Sequence, residues 1–306
     1  MSANGCLFSI YTLTPLHAGA GESSGVVDLP VQREKHTGYP CVFSSGIKGS
    51  LRFYAETAVL PNGQKKFSLP DDVETIFGGE GKAGGEGKVV FTDAKILFFP
   101  VRSSEGAFKW ITCPFVLSRL TRDLMMLGIN CNLPKLSVST WEGITWHTCE
   151  RPVLLLEDIP ISVNGRDPNN DQTYALLCNL CASHLNNDLS FLQERLIVVS
   201  DDVFKILVTT ATQVIARNVL TKDGSKKSAN LWYEECVPAD ALFYTIMLPT
   251  FQGNNAIDLL GKGISQSIIQ IGGNETVGYG FVKLSDDLSV KVMPGAGVQE
   301  KKEEKK

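Results

Sequence analysis

The sequence predicts an α+β fold, because strand-like and helix-like segments intermingle along its 306 residues. Cys6–Thr14 alternates apolar and polar residues, which is typical of a strand. Ile47–Leu60 carries apolar residues at helical spacing. The segments lack the regular strand–helix–strand spacing of a parallel sheet, and this irregularity favours α+β over a doubly wound fold.

The composition is that of a soluble globular protein, with 43% apolar residues, 20% charged residues and a mean hydropathy of +0.02. The formal net charge of −4 excludes a protein that coats nucleic acid by bulk charge alone. Apolar runs are far shorter than the ~20 residues of a membrane span. A secretory signal requires basic residues near its amino end, and the first basic residue of this sequence is Arg33. We therefore expect a cytoplasmic protein that contacts no membrane and whose cysteines are reduced.

The remaining elements follow from the same patterns. A Gly/Ser-rich loop follows the first strand, and Ser44 or Ser45 is expected to cap the helix that begins near Ile47. Six glycines in residues 78–87 predict a mobile surface loop, because glycine has no side chain with which to pack. Further helices are predicted at Asp71–Phe77, Ser118–Gly128, Asp171–Asp188 and Asn255–Ile271, and further strands at Lys88–Pro100, Arg151–Val163 with a break at Pro160, Ala241–Leu248 and Phe281–Leu284. Asp201–Leu220 fits either a helix or strands.

Positive charge is concentrated in two segments, Val31–Arg52 and Arg217–Lys227, which each contain four cations and one acid. In the first segment, Lys48 and Arg52 lie four residues apart and therefore share one face of the predicted helix. Small residues leave the amino terminus of that helix open to a phosphate: Ser44, Ser45, Gly46 and Gly49. An ordinary capped helix with two solvated cations explains the same pattern.

Two loop residues offer chemistry. Asp28 lies in a polar loop between the first strand and the first helix, where it is either a catalytic carboxylate or a turn former. His17 is suited to proton transfer, although a lone histidine is more often structural. Cys178, Cys181 and His184 recur every three residues on a predicted helix and are either zinc ligands or buried reduced side chains.

Four stretches carry a family resemblance: TPLHAGAGESSGVVDLPVQREKHTGYP followed by SSGIKGSLR, KVVFTDAKILFFPVRSSEGAFKWITCPFVLSRLTRD, LWYEECVPADALFYTIML, and the glycine turn IGGNETVGYG. In these stretches the chain resembles the backbone subunits of the Cmr complex, the type III-B CRISPR effector, within the RAMP superfamily. The string GVVDLPVQREKHTG is the most specific of them. The resemblance covers essentially the whole chain.

The resemblance implies a ferredoxin-like, RRM-type core with insertions and a thumb-like β-hairpin. It implies one such domain over residues 1–294, while the charged composition of residues 295–306 predicts a flexible tail. It also implies that several copies stack as a helical filament on a guide RNA, with other Cmr subunits and a single-stranded target RNA as further partners. The guide-binding helix then falls on Ser44, Ser45, Lys48, Gly49 and Arg52, with His17 near the same groove.

The hairpin is placed at residues 214–235, because two strand-like flanks enclose a polar turn that contains Asp-Gly. Its basic residues are expected to contact phosphates: Arg217, Lys222, Lys226 and Lys227. Leu231, Trp232 and Tyr233 are expected to wedge against bases, because aromatic faces stack without sequence preference. A surface loop beside a core tryptophan remains the alternative for this segment.

The family's target-cleaving aspartate falls on Asp28, which implies an endoribonuclease that cuts guide-paired RNA at regular intervals by attack of the ribose 2′-hydroxyl. A carboxylate is a weak base at neutral pH, which favours a role in holding Mg²⁺ or another divalent cation. Possible helpers are His17, Lys35, His36, Glu234 and Glu235. A non-catalytic RNA-binding scaffold in the same kind of complex is the alternative.

Overall fold

A computed structural model describes residues 5–59, 66–67, 70–79, 85–129, 131, 133, 135–147, 149–165, 171–186, 188–220, 228–250 and 254–285. The strands are β1 (Cys6–Thr12), β2 (Cys41–Val42), β3 (Val89–Phe91), β4 (Ala94–Arg102), β5 (Phe108–Thr112), β6 (Glu142–Thr145), β7 (Val153–Leu156), β8 (Ile159–Asn164), β9 (Leu196–Val199), β10 (Gln213–Leu220), β11 (Ser228–Cys236), β12 (Leu242–Pro249), β13 (Ile268–Gln270) and β14 (Phe281–Ser285). The helices are α1 (Ser44–Thr57), α2 (Pro70–Phe77), α3 (Pro114–Met126), α4 (Asp171–Cys181), α5 (Leu189–Arg195), α6 (Asp201–Thr210) and α7 (Asn254–Ile264), with a short 3-10 helix at Glu275–Val277. Among these residues no helix is both long and apolar enough to cross a membrane.

Four strands and two helices form the centre of the fold. In chain order they are β1, α1, β4, β12, α7 and β14, and the strands lie side by side in the order β14-β1-β12-β4. All three pairings are antiparallel. This connectivity and order are those of a ferredoxin-like β-α-β-β-α-β unit, so the predicted α+β, ferredoxin-like class is confirmed.

A long insertion between β4 and β12 extends this sheet. β5 pairs with β4, and the sheet continues through β9, β6, β8 and β7. Two of the added pairings, β5 with β9 and β6 with β8, are parallel. Twelve of the described strands thus form one sheet, and one continuous hydrophobic cluster includes side chains from both the central unit and the insertion.

The helix α1 packs one apolar stripe against the sheet. Ile47, Leu51 and Ala55 recur every four residues and are buried, as the apolar spacing of the sequence predicts. The expected serine cap is wrong, because the helix already begins at Ser44 and the capping position is Phe43, which has no side-chain acceptor. The first strand, the short helix α2, β12 and β14 lie where the sequence predicts them.

Three other expectations need correction. The strand break falls at Glu157, which turns with φ +52°, whereas Pro160 lies inside β8. The last predicted helix ends at Ile264, and its final residues form β13. Asp201–Leu220, which fits either a helix or strands, forms one of each, α6 followed by β10.

The predicted hairpin is formed by β10 and β11, which pair antiparallel in a separate two-stranded sheet. Its turn, with Lys222, Lys226 and Lys227, lies outside the described residues, as do residues 80–84 of the glycine-rich segment and the predicted tail at 295–306.

Cys178 and Cys181 are buried, which agrees with the structural alternative for these cysteines, and His184 Nε2 lies 2.7 Å from the Ser9 hydroxyl.

Candidate active site and RNA-binding surface

The loop that carries Asp28 lies against the base of the hairpin. The backbone N–H of Tyr233 donates to Asp28 Oδ2 at 2.7 Å. The next residue, Leu29, accepts from the N–H of Glu235 at 3.0 Å and donates to the carbonyl of Tyr233 at 3.1 Å, in parallel orientation. The loop therefore runs beside β11 like a third strand, and this pairing fixes Asp28 relative to the hairpin.

The carboxylate of Asp28 is half-buried, and only one of its oxygens is engaged. Within the described part of the chain, Oδ1 of Asp28 forms no hydrogen bond. One anchored oxygen and one open oxygen leave this carboxylate able to bind a cation or a ribose hydroxyl without losing its place.

Glu235 is buried and joins three segments of the site. Its Oε1 lies 2.5 Å from Arg33 Nη2 and accepts from the Thr212 hydroxyl at 2.7 Å. Its Oε2 accepts from the N–H of Val31 at 3.0 Å. Both oxygens are therefore used to hold the Asp28 loop against the hairpin.

Glu234 is buried on the other face of β11. Its Oε2 accepts from Arg217 Nε at 2.9 Å, and its Oε1 accepts from the Asn274 side chain. The guanidinium of Arg217 also lies 5.0 Å from the ring centre of Tyr279. These contacts connect the hairpin to the glycine turn near the carboxyl end.

His17 lies beneath the same strand. Its Nδ1 is 2.7 Å from the carbonyl oxygen of Glu235, and since a carbonyl only accepts, Nδ1 carries the proton. The glycine turn closes over it, because Gly273 donates its N–H to the His17 carbonyl at 2.9 Å. Gly272 has φ +85°, and a Cβ there would overlap the same carbonyl oxygen, which explains the glycine.

Lys35 and His36 lie in an exposed turn of the same loop. The residue before them, Glu34, is fixed by two hydrogen bonds from Arg119 Nη1 at 2.6 and 2.8 Å. The turn is therefore anchored while its two basic side chains face solvent. The structure does not bring either side chain into hydrogen-bond contact with Asp28.

The amino terminus of α1 forms a second part of the surface. Ser44, Ser45 and Lys48 line an open groove of about 590 Å³. The N–H of Ser44 already donates to Asp93 Oδ1 at 2.7 Å, so one of the amides expected to face a phosphate is occupied. Gly49 is exposed on the same helix.

The two cations of α1 differ in their surroundings. Arg52 Nε donates to Glu56 Oε1 at 2.7 Å, and its Nη1 donates to the carbonyl of Gly78 at 3.1 Å. Lys48 is half-exposed and forms no ion pair with any described residue. Lys48 is therefore the better placed of the two to meet a phosphate.

Gln32 connects the two parts of the surface, and sequence reasoning missed it. Its Oε1 accepts from the N–H of Phe43 at 2.6 Å, and its Nε2 donates to the carbonyl of Gly19 at 3.0 Å. Thr212 and Asn274 were missed as well. Nothing in the sequence marks these polar residues, because their partners are distant along the chain.

Residues 9–283 match the RAMP superfamily. The chain belongs to this superfamily. It is 36% identical over 291 residues to the CRISPR system Cmr endoribonuclease Cmr4 of Pyrococcus furiosus, which covers 91% of this chain and 94% of that relative. The crystal structure of oligomeric Cmr4 from the same organism matches with a TM-score of 0.73 and 31% identity over 93% of this chain and 98% of that one. A chain of the type III-B Cmr-beta complex bound to cognate target RNA, 21% identical over 93% of this chain and 97% of that one, shares the fold with a TM-score of 0.70.

In this RAMP-superfamily chain, few of the described residues near Asp28 could bind a divalent cation. His17, Glu234 and Cys236 place possible ligand atoms within 4.8 Å of one another. They do not fit a cation, because both oxygens of Glu234 already accept hydrogen bonds, from Arg217 and Asn274, and His17 Nδ1 is bonded to the Glu235 carbonyl. Asp28 fits better: Mg²⁺ is commonly held by one or two carboxylates together with substrate phosphates.

The hairpin presents apolar side chains beside Asp28. Leu231 and Tyr233 are exposed, and Trp232 between them is half-buried and lies opposite Arg217 on β10. Alternation along the strand therefore directs Leu231 and Tyr233 outward and Trp232 to the face that carries Arg217. The outward pair is therefore exposed to solvent beside Asp28.

Proposed function

We propose that this RAMP-superfamily chain is one of several copies that bind a guide RNA in a type III-B CRISPR effector, and that it cleaves the single-stranded target RNA paired to the guide. The relative from Pyrococcus furiosus is named a Cmr endoribonuclease, which supports the proposal. The observation that carries it is the hydrogen bond from the Tyr233 N–H to Asp28 Oδ2, since it holds a carboxylate with one open oxygen against the two-stranded hairpin.

The proposed reaction is attack by a ribose 2′-hydroxyl on the adjacent phosphate, with the 5′-oxygen of the next nucleotide as leaving group. The products are a 2′,3′-cyclic phosphate and a free 5′-hydroxyl. A continuous A-form duplex holds the 2′-hydroxyl out of line with the leaving oxygen. A hairpin that displaces one nucleotide from the duplex supplies the alignment, and Leu231 and Tyr233 are the exposed side chains able to contact the displaced bases.

Asp28 faces the displaced phosphate in this proposal. A divalent cation held by Asp28 Oδ1 and the RNA would neutralise phosphate charge in the transition state. His17, Glu234 and Glu235 act as positioning residues, because their contacts keep the loop and the hairpin in register. Lys35 and His36, on the exposed turn, are placed to meet RNA from solvent.

The guide RNA is assigned to the surface at the amino terminus of α1. Ser44, Ser45 and Lys48 line its groove, while Gly49 leaves the helix surface open and Arg52 lies one turn further along. Contacts of this kind fix the RNA backbone without reading sequence, which base pairing to the guide supplies instead. The lysines Lys222, Lys226 and Lys227 are proposed to follow the backbone on either side of the displaced nucleotide, whereas Arg217, expected from the sequence to do the same, is held inward by its ion pair with Glu234.

A non-catalytic scaffold is the second candidate, and one observation favours it. Both acidic neighbours of Asp28 on β11, Glu234 and Glu235, are fully engaged in ion pairs. Asp28 is thus left without a second free carboxylate among the described residues of the site. A scaffold needs none.

Replacement of Asp28 by asparagine distinguishes the two functions. The amide oxygen of the new side chain would still accept the Tyr233 N–H, so the loop keeps its position and only the charge is removed. Target cleavage by the assembled complex is expected to fall by at least about 100-fold, with guide binding unchanged. Glu22→Gln, an exposed change in the same loop, is the matched control and is expected to cleave normally. Cleavage at the original rate by the Asp28→Asn complex would establish the scaffold instead.

A further inference from the structure

A second cluster of ligand-type side chains lies in the insertion, in contact with none of the residues described above. Glu105 is in the turn between β4 and β5, and His147 and Cys149 follow β6. His147 Nε2 lies 3.5 Å from Glu105 Oε1 and 3.6 Å from Cys149 Sγ. All three ligand atoms lie within 4.8 Å of one another, close enough to bind one metal ion.

Two atoms of this cluster are buried without a hydrogen-bond partner among the described residues, Glu105 Oε2 and His147 Nδ1. Unsatisfied buried polar atoms are uncommon in folded proteins and call for a physical explanation. A cation bound to the carboxylate would compensate Glu105 Oε2. The backbone at His147 is fixed, because the Thr145 hydroxyl donates to the His147 carbonyl at 2.9 Å.

We propose that Glu105, His147 and Cys149 form a zinc site. One thiolate, one imidazole and one carboxylate are a ligand set typical of Zn²⁺, whereas Mg²⁺ prefers oxygen ligands alone. Three protein ligands leave a fourth tetrahedral position for water. A bound zinc ion would fasten the β4–β5 turn to the segment between β6 and β7 and so stabilise the far part of the sheet.

Lys109 lies beside the cluster. Its buried ammonium lies 3.6 Å from Glu105 Oε1 and 3.4 Å from His147 Nε2, while its short hydrogen bond is to the carbonyl of Glu194 at 2.8 Å. The ammonium therefore supplies the positive charge that zinc would supply, and the two cations repel one another. Lys109→Met is expected to tighten zinc binding by about tenfold or more.

Zinc binds a thiolate, so binding forms the Zn–S bond, breaks the S–H bond of Cys149 and releases that proton to solvent.

The test uses the full chain, stripped of metal with a chelator and titrated with ZnCl₂ and with CoCl₂. We expect one tight equivalent of zinc and a thiolate-to-cobalt charge-transfer band in the near ultraviolet. Cys149→Ser is expected to remove the band and to weaken zinc binding on the order of 100-fold, and His147→Gln to weaken it similarly. Cys131→Ser is the control, since it changes another half-buried cysteine outside the cluster.

Absence of the cobalt band from the unmodified chain would overturn the proposal, whether or not any variant folds. A band that survives in Cys149→Ser, or that disappears in Cys131→Ser, would also overturn it, because the thiolate would then come from elsewhere. Circular dichroism of each variant shows whether loss of metal reflects loss of the ligand or loss of the fold.

Discussion

Arg33 and Glu235 lie 202 residues apart in the sequence and form an ion pair with an Nη2–Oε1 distance of 2.5 Å. Glu235 lies on the hairpin and Arg33 on the loop that carries Asp28. Arg33 Nη1 also donates to the carbonyls of Gly38 and Val208 at 2.9 and 3.1 Å. One guanidinium thus fixes the position of the loop on the hairpin.

We expect Arg33→Met to lower the free energy of unfolding by roughly 3 kcal/mol, because it leaves the buried Glu235 carboxylate without its charged partner. Arg102→Met is the control: Arg102 pairs with Glu157 at 3.2 Å but its side chain is 69% exposed, and such pairs contribute less than about 1 kcal/mol. Denaturant unfolding of both variants measures the difference. Equal losses would show that the Arg33 pair is no stronger than a surface pair.

We expect Gly272→Ala to destabilise the protein by roughly 3 kcal/mol or more, since φ is +85° and the new Cβ would overlap the His17 carbonyl oxygen. Gly278→Ala is the matched control, with the same φ of +85° but open space around the new Cβ, and should cost only about 1 kcal/mol of conformational strain. Thermal unfolding compares the two. A similar loss in both would mean that the glycine turn does not press on His17.

We expect Lys48→Ala to weaken guide RNA binding equally for all RNA sequences. The slope of log binding constant against log salt concentration should become shallower by about one for each phosphate that the side chain no longer binds. Arg52→Ala should have a smaller effect, because Glu56 already neutralises part of its charge. Filter-binding titrations at several salt concentrations measure both. Lys205→Ala on the exposed face of α6 is the control. If Lys48→Ala and Lys205→Ala have the same salt slope, α1 faces away from the RNA.

We expect deletion of residues 221–228, which lie between β10 and the second residue of β11 in the sequence, to abolish or blur the regular spacing of cuts in the target. A wedge repeated once per subunit produces cuts at one fixed interval, and a shortened hairpin no longer reaches between the paired bases. Deletion of residues 80–84 in the glycine-rich segment is the control. Gel analysis of end-labelled target reads the cut positions. Unchanged positions and rate in the first deletion would place the wedge in another part of the chain.

The central elements were predictable because they depend on local pattern. Alternation gave the first strand, apolar spacing gave α1, and two strand-like flanks around Asp-Gly gave the hairpin. The errors arose where tertiary pairing outweighs local preference. Pro160 stays within β8 although proline lacks an N–H donor, and the chain turns instead at Glu157.

The candidate site was predictable only residue by residue. Asp28, His17, Glu234 and Glu235 were singled out, but their contacts join segments about 200 residues apart, and no periodicity encodes such a pairing. The same holds at α1, where Asp93 accepts from the Ser44 N–H and Glu56 accepts from Arg52. Only the folded chain reveals where these two acids lie.

Because Leu29 is hydrogen-bonded to β11, the loop and the hairpin form one module built from two distant stretches of sequence. A chimaera that imports only the hairpin from a relative would replace Glu235 and leave Arg33 on the resident loop, facing whatever residue the new hairpin brings. The two stretches must therefore be exchanged together, and an engineer who wishes to transplant this module between effectors has to move residues 28–34 and 212–236 as a single cassette.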